Sequence, residues 1–210
     1  MKLKVTACMV AFFVGAGALA SGTTIATSDD LDFIIGSGDN LSVLVIDFNN
    51  ASGSSFAWGY RWDGEATGAD LLAAVAAADS NLLIDSNTFL NDVSYFDGSA
   101  QNSAQGSTDT GNFWSYFIAG GSAETFDASF NPAGQVAVSG AGIILPDSYT
   151  QSTSGTAGRL LENGSWDAFS FGPFPTPPSS GAPFAAAVPE PSVAGLVAVF
   201  FVFGGLRRKR

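Results

Sequence analysis

The 210-residue sequence predicts an α+β domain: a small, mainly antiparallel sheet with one main helix, set between an N-terminal signal helix and a single C-terminal hydrophobic helix. Three observations carry this expectation. Two consecutive runs of strand length are separated by turn chemistry. An Ala-rich stretch with helical spacing follows them. Each end of the chain holds one short apolar segment beside cations.

The N-terminal segment comes first. Lys2 and Lys4 precede an almost wholly apolar stretch from Val5 to Ala18, and Ala18-Leu19-Ala20 has the small-residue pattern of a signal-peptide cleavage site. The expected cut falls between Ala20 and Ser21, removing residues 1–20. An uncleaved anchor or a buried helix is the plainer alternative. Cys8, the one cysteine, lies inside this segment, so the exported chain is expected to form no disulfide.

Residues 21–30 read as a polar lead-in, with folding expected to start near Leu31. Leu41 to Phe48 is a β-branched apolar run, and Asn49 to Ser54 is turn chemistry. From Phe56 to Trp62 the chain alternates. Phe56, Trp58, Tyr60 and Trp62 share one face, and Ala57, Gly59 and Arg61 the other, so the two runs predict an antiparallel hairpin. Thr67 to Asp70 has capping-box spacing, with Asp where Glu is usual, and Leu71, Leu72, Val75 and Ala78 follow at helical spacing. Asp79-Ser80-Asn81 ends that helix.

Further strands are expected at Asn91–Phe96, Phe113–Ile118, Gln135–Ser139, Gly142–Leu145 and Trp166–Phe171, with 101–111 as a polar loop. The exported domain is drawn as residues 21–171. Seven of nine prolines then fall between Pro173 and Pro191. Residues 172–187 read as an extended Pro-rich spacer, reaching about 50 Å at roughly 3.1 Å per residue.

The last 23 residues carry the most specific pattern: Val188-Pro189-Glu190-Pro191-Ser192, an apolar run from Val193 to Leu206, then Arg207, Arg208, Lys209 and Arg210. This order resembles the PEP-CTERM sorting signal of Gram-negative bacteria. The resemblance implies that Pro189, Glu190 and Pro191 are the sorting motif and that residues 188–210 form the signal, with 193–206 as a temporary membrane segment. It also implies a membrane-stop role for the basic tail, an exosortase transpeptidase as partner, and a destination in the extracellular polysaccharide of a biofilm. The plainer alternative is a single-span tail anchor. Positive charge stays on the cytoplasmic side, so both ends place the intervening domain outside the cytoplasm. The expected route runs through the export translocon and signal peptidase to an inner-membrane-anchored intermediate, then to the cell surface or matrix. A fainter resemblance lies in the body: the hairpin, the helix, Asn112-Phe113-Trp114-Ser115-Tyr116-Phe117 and Glu162-Asn163-Gly164-Ser165-Trp166 are similar to transcobalamin C-terminal-like domains of bacterial surface proteins. That likeness implies a β-grasp-like fold.

Charge and residue types exclude several functions. Between residues 21 and 187 only Arg61 and Arg159 are basic, against 18 carboxylates, a net charge of −16. Such a body disfavours nucleic acid and anionic lipid as partners. It contains no His, Cys or Lys, which removes Ser-His-Asp, Cys-His and Schiff-base arrangements and imidazole or thiolate metal sites. No cofactor is expected. A carboxylate hydrolase stays open as a minor alternative, although Glu65, Glu124 and Glu162 scatter among loops. Weak calcium binding at Asp29, Asp30 and Asp32, or at Asp63-Gly64-Glu65, is the other carboxylate reading; neither cluster matches an EF-hand loop. The leading expectation is a structural or adhesive role without catalysis. The alternative is a glycan- or small-ligand-binding module using Trp58, Tyr60 and Trp62, with Arg61 as a ligand anchor; the same aromatic face is also what a buried strand side requires.

Overall fold

The computed structural model describes residues 23–49, 54–86, 90–179 and 181–189. The Ala20–Ser21 junction, Glu190, Pro191, the 193–206 run and the basic tail lie outside these residues. The architecture corrects the α+β, β-grasp-like expectation: the described residues are mostly β, 46% strand and 9% helical, with one α-helix and three sheets among them. Among the described residues no helix is long and apolar enough to cross a membrane.

The strands are β1 (Ile34–Gly36), β2 (Asn40–Asp47), β3 (Ser55–Trp62), β4 (Leu82–Ser86), β5 (Leu90–Phe96), β6 (Gln101–Gln105), β7 (Asn112–Ala119), β8 (Ser122–Phe126), β9 (Pro132–Ala137), β10 (Thr150–Gln151), β11 (Arg159–Leu160), β12 (Trp166–Pro173) and β13 (Phe184–Ala185). The helix α1 spans Gly68–Ala78. The main sheet runs β1-β3-β2-β12-β7-β10, with β13 beside β1 on the outer edge of β3. It is mixed: β2 and β12 lie parallel at its centre, flanked by the antiparallel pairs β2/β3 and β12/β7. Two three-stranded sheets, β4-β5-β6 and β11-β8-β9, complete the fold.

Both faces of the main sheet are covered, which explains why β2 is buried on either side. One face carries Leu44, Ile46, Phe56, Trp58 and Phe169, packed with Leu71 and Val75 of α1 and Val93 and Tyr95 of β5. The other carries Val43, Val45, Phe117, Trp166 and Ala168 against Ile25 and Ala185. Helix α1 starts where its chemistry requires. Thr67 Oγ1 accepts from Asp70 N at 3.2 Å, and Asp70 Oδ2 accepts from Thr67 N at 2.9 Å. A cap of this kind contributes about 1 kcal/mol.

Four local expectations change. Residues 101–105 are a strand rather than loop, because Asn102 turns inward against Asp97 Oδ2 and β6 completes the β5 ladder. Gly142–Leu145 forms no strand; Gly142 N instead donates to Gly164 O at 2.8 Å. The segment read as a spacer lies on the domain. Ser179 N donates to Asp47 Oδ2 at 2.6 Å, β13 pairs in parallel with Phe56 and Ala57, and Ala187 N donates to Tyr95 Oη at 3.1 Å. The lead-in is also packed: Ile25 is fully buried and its N–H donates to Pro183 O.

Candidate functional site

The aromatic row of β3 faces inward beneath α1 and the β4-β5-β6 sheet. Trp58 is fully buried, and its Nε1 donates to Asp79 Oδ2 at 2.8 Å. Phe56 and Trp58 meet the Tyr95 ring edge-on at 4.7 and 5.1 Å. Tyr60 is half-buried and stacks on Trp62 at 5.7 Å, with Trp62 itself buried. Arg61 points to the opposite side and donates weakly to Gly38 O at 3.4 Å. These residues form core and rim rather than an open stacking platform.

The acidic clusters do not assemble either. Asp30 Oδ2 accepts from Ala26 N, Thr27 N and Thr27 Oγ1, the work of a turn cap, while Asp29 and Asp32 are exposed. Those backbone bonds hold the Asp30 carboxyl below its usual range. Among the described residues no three carboxylates gather as metal ligands, which includes Asp63 and Glu65.

Buried carboxylates are individually engaged. Asp167 lies at the sheet centre beside Arg159, and both are essentially inaccessible. Arg159 Nε and Nη2 donate to Asp167 Oδ1 at 3.1 and 3.0 Å, Nη1 donates to Leu160 O at 2.8 Å, and Tyr116 Oη donates to Asp167 Oδ2. Burial pushes the Asp167 carboxyl upward; the Arg159 charge and the Tyr116 and Arg159 hydrogen bonds pull it back only in part. Burial likewise pushes the Tyr116 phenol far up, so it remains a donor. Gly68, at the start of α1, is required here: a Cβ would sit 2.4 Å from Tyr116 Oη and 2.8 Å from Asp167 Oδ2. This cluster locks α1 and β11 onto the main sheet.

A second polar feature was not legible in the sequence. Ser55, Asp47, Ser170 and Ser115 stand at matched positions on β3, β2, β12 and β7, forming a buried row across four strands. Three members hold the Pro-rich segment: Ser115 Oγ accepts from Thr176 N at 3.2 Å, Ser170 Oγ donates to Pro177 O at 3.2 Å, and Asp47 accepts from Ser179 N. Proline has no backbone N–H and a Pro-rich run therefore offers few donors, so side chains of the sheet do the pairing that a strand ladder would otherwise do. The signal available in the sequence was Asp47, a charge ending an apolar run.

Two concave surfaces flank this strap. One, of about 420 Å³, lies between it and the 145–149 loop, lined by Val45, Ser55, Pro146, Tyr149, Pro178 and Pro183. Burial, with the Asp167 and Asp47 charges adding, pushes the Tyr149 phenol upward. The other, of about 510 Å³, opens where β6 and the 107–110 turn meet the ends of β2, β7 and β12. Its lining includes Phe48, Asn49, Gln105, Thr110, Asn112 and Phe171, and no charged side chain among the described residues.

No family model, curated protein or solved structure matches the chain. The geometry therefore stands without a relative to interpret it. Of the residues singled out from sequence, Trp58, Tyr60 and Trp62 come together but face the interior or its rim. Asp29, Asp30 and Asp32 adjoin without converging. Pro189 follows the strap directly, while Glu190 and Pro191 fall outside the described residues. The second cleft has no local sequence signal because its amides come from positions 49, 105 and 112, and residues 101–111 read as a polar loop.

Proposed function

We propose that this chain is an exported protein of the cell surface or extracellular matrix, with a structural or adhesive role, sorted through its Pro189-Glu190-Pro191 signature by an exosortase-type transpeptidase. The observation that carries the reading is the order of that signature, the apolar run 193–206 and the cations Arg207, Arg208, Lys209 and Arg210. The composition of the body supports it. A domain with no His, Cys or Lys between residues 21 and 187 lacks the usual nucleophile and base partners. Its buried carboxylates Asp47, Asp79 and Asp167 are each bonded to backbone N–H groups, Trp58, Arg159 or Tyr116. A net charge of −16 keeps such a domain soluble and away from anionic surfaces.

Intact-mass measurement on the protein from cells with and without the transpeptidase tests the proposal. A C-terminal loss of about 20 residues, dependent on the enzyme, is the expected result. The same mass in both strains rejects sorting by that route, and protease protection of the domain inside intact spheroplasts rejects export.

A further inference from the structure

The cleft between the β4-β5-β6 sheet and the main sheet has a chemistry unlike the rest of the surface. In a body with 18 carboxylates, none lines it among the described residues. Instead it presents three carboxamides, on Asn49, Gln105 and Asn112, beside the half-buried ring of Phe171. None of the three side-chain amides has a hydrogen-bond partner among the described residues, whereas the neighbouring Thr110 hydroxyl is held by Ser107 O and Asn112 N. Asn49 is pre-set: its φ is +44°, and its own N–H is fixed by Asp47 Oδ1 at 2.8 Å. Phe171 is backed by the Trp114 ring at 5.3 Å.

The lining selects a ligand class by elimination and by match. An anion would need a cation, yet Arg159 is sealed against Asp167 and Arg61 lies at Gly38. A cation would need a carboxylate in the cleft. A purely apolar ligand would cover three amides and leave them unpaired, which is costly. Each amide offers two donors and a two-lone-pair acceptor, the complement of adjacent hydroxyl groups. Phe171 offers an apolar face. The volume of about 510 Å³ falls in the range of small-molecule sites, roughly 300–1,000 Å³. We infer that this cleft binds a neutral hexopyranose unit, with ring C–H groups against Phe171 and hydroxyls on Asn49, Gln105 and Asn112. The inference gives the adhesive reading above a ligand class and rests on that reading for where the sugar is met.

The test uses the purified full-length chain in a detergent without a sugar headgroup. Saturation-transfer NMR is recorded with D-glucose, D-galactose, D-mannose, neutral oligosaccharides of each, and D-glucuronate. The expected result is transfer to ring C–H protons of a neutral sugar at millimolar concentration and none to glucuronate. Transfer to oligosaccharides alone assigns the site to polymer units; transfer to single sugars too assigns it to free sugar as well. Gln105→Glu and Asn112→Asp are near-isosteric, and each should weaken binding about tenfold with unchanged circular dichroism. Tyr60→Leu, on the aromatic strand, should leave binding as it was. The inference is overturned if no neutral sugar shows transfer, if glucuronate binds equally, or if both cleft variants bind like the parent. Because binding is read on purified protein, it fails or holds independently of processing by the transpeptidase.

Discussion

Removing the Arg159 side chain of β11 should strongly destabilise the domain by stranding Asp167 of the main sheet. Arg159→Met replaces five donors with an apolar chain of similar reach. Asp167, 1% exposed, would keep only the Tyr116 hydroxyl, and the Leu160 carbonyl would lose its 2.8 Å partner. Breaking a buried pair by deleting one member costs about 3–5 kcal/mol, and an orphaned carbonyl adds about 1 kcal/mol or more. A loss of about 4 kcal/mol corresponds to a fall in Tm of about 8–16 °C for a domain of this size. Urea unfolding followed by Trp fluorescence measures it, and Trp166, on the neighbouring position of β12, makes a local probe. Asp167→Asn should cost about 3 kcal/mol by leaving the guanidinium uncompensated. The double variant should cost less than the two singles together by about 2 kcal/mol, since neither charge then remains. There is a pH signature as well. Burial already raises the Asp167 carboxyl in the parent, and without Arg159 only the Tyr116 hydroxyl opposes it; the protonated group is tolerated, so the loss caused by Arg159→Met should be smaller at low pH and should grow as pH rises through the raised folded value. Single variants costing under about 1 kcal/mol, or strictly additive ones, would refute a coupled buried pair.

The strap makes a second prediction. Asp47→Ala removes the acceptor of both Ser179 N and Asn49 N and should cost about 2 kcal/mol. Limited proteolysis with mass mapping should then show faster cutting within 174–187, and cutting at the parent rate would argue against the anchoring role. A third concerns acid. Partial burial works to raise the Asp97 carboxyl, but hydrogen bonds from Ala100 N, the Ser99 hydroxyl and N–H, and Asn102 outweigh it and hold the group below the usual carboxylate range. A depressed folded value contributes stability above pH ~4 that is lost as pH falls through it. Asp97→Asn should therefore lower the urea midpoint at pH 6 and lose less on acidification than the parent; equal acid sensitivity of the two proteins would refute it.

What the sequence disclosed was local chemistry. The β2/β3 hairpin follows from two strand-length runs around a turn, and α1 follows from Thr67 and Asp70 at capping distance. Both signals are complete within a few residues. What it concealed depends on partners far along the chain. Gln101 to Gln105 looks like loop because its inward residues are Asn102 and Ala104, which suffice only where β5 supplies the ladder. The proline run looks like a spacer because nothing local shows that Ser115, Asp47 and Ser170 align across three strands to receive it. The fold class is hidden for the same reason: short strands such as β10, β11 and β13 are two residues each, and they exist only by pairing with β7, β8 and β3. The cleft amides are the extreme case, since Asn49, Gln105 and Asn112 are ordinary polar residues until two sheets meet around them.

The docked strap also decides how the domain bears load. A pull on the backbone beyond Val188 reaches Tyr95 first, through Ala187 N, and then the two-residue pairing of Phe184 and Ala185 with β3. The joints closest to the applied force are thus small ones, a single hydrogen bond to β5 and a two-residue pairing with β3, while the long β2/β12 and β12/β7 ladders stand behind them. Tension applied from the C-terminal side would unzip a fourteen-residue ribbon, segment 174–187, before it strained the globule, giving the protein a built-in slack length.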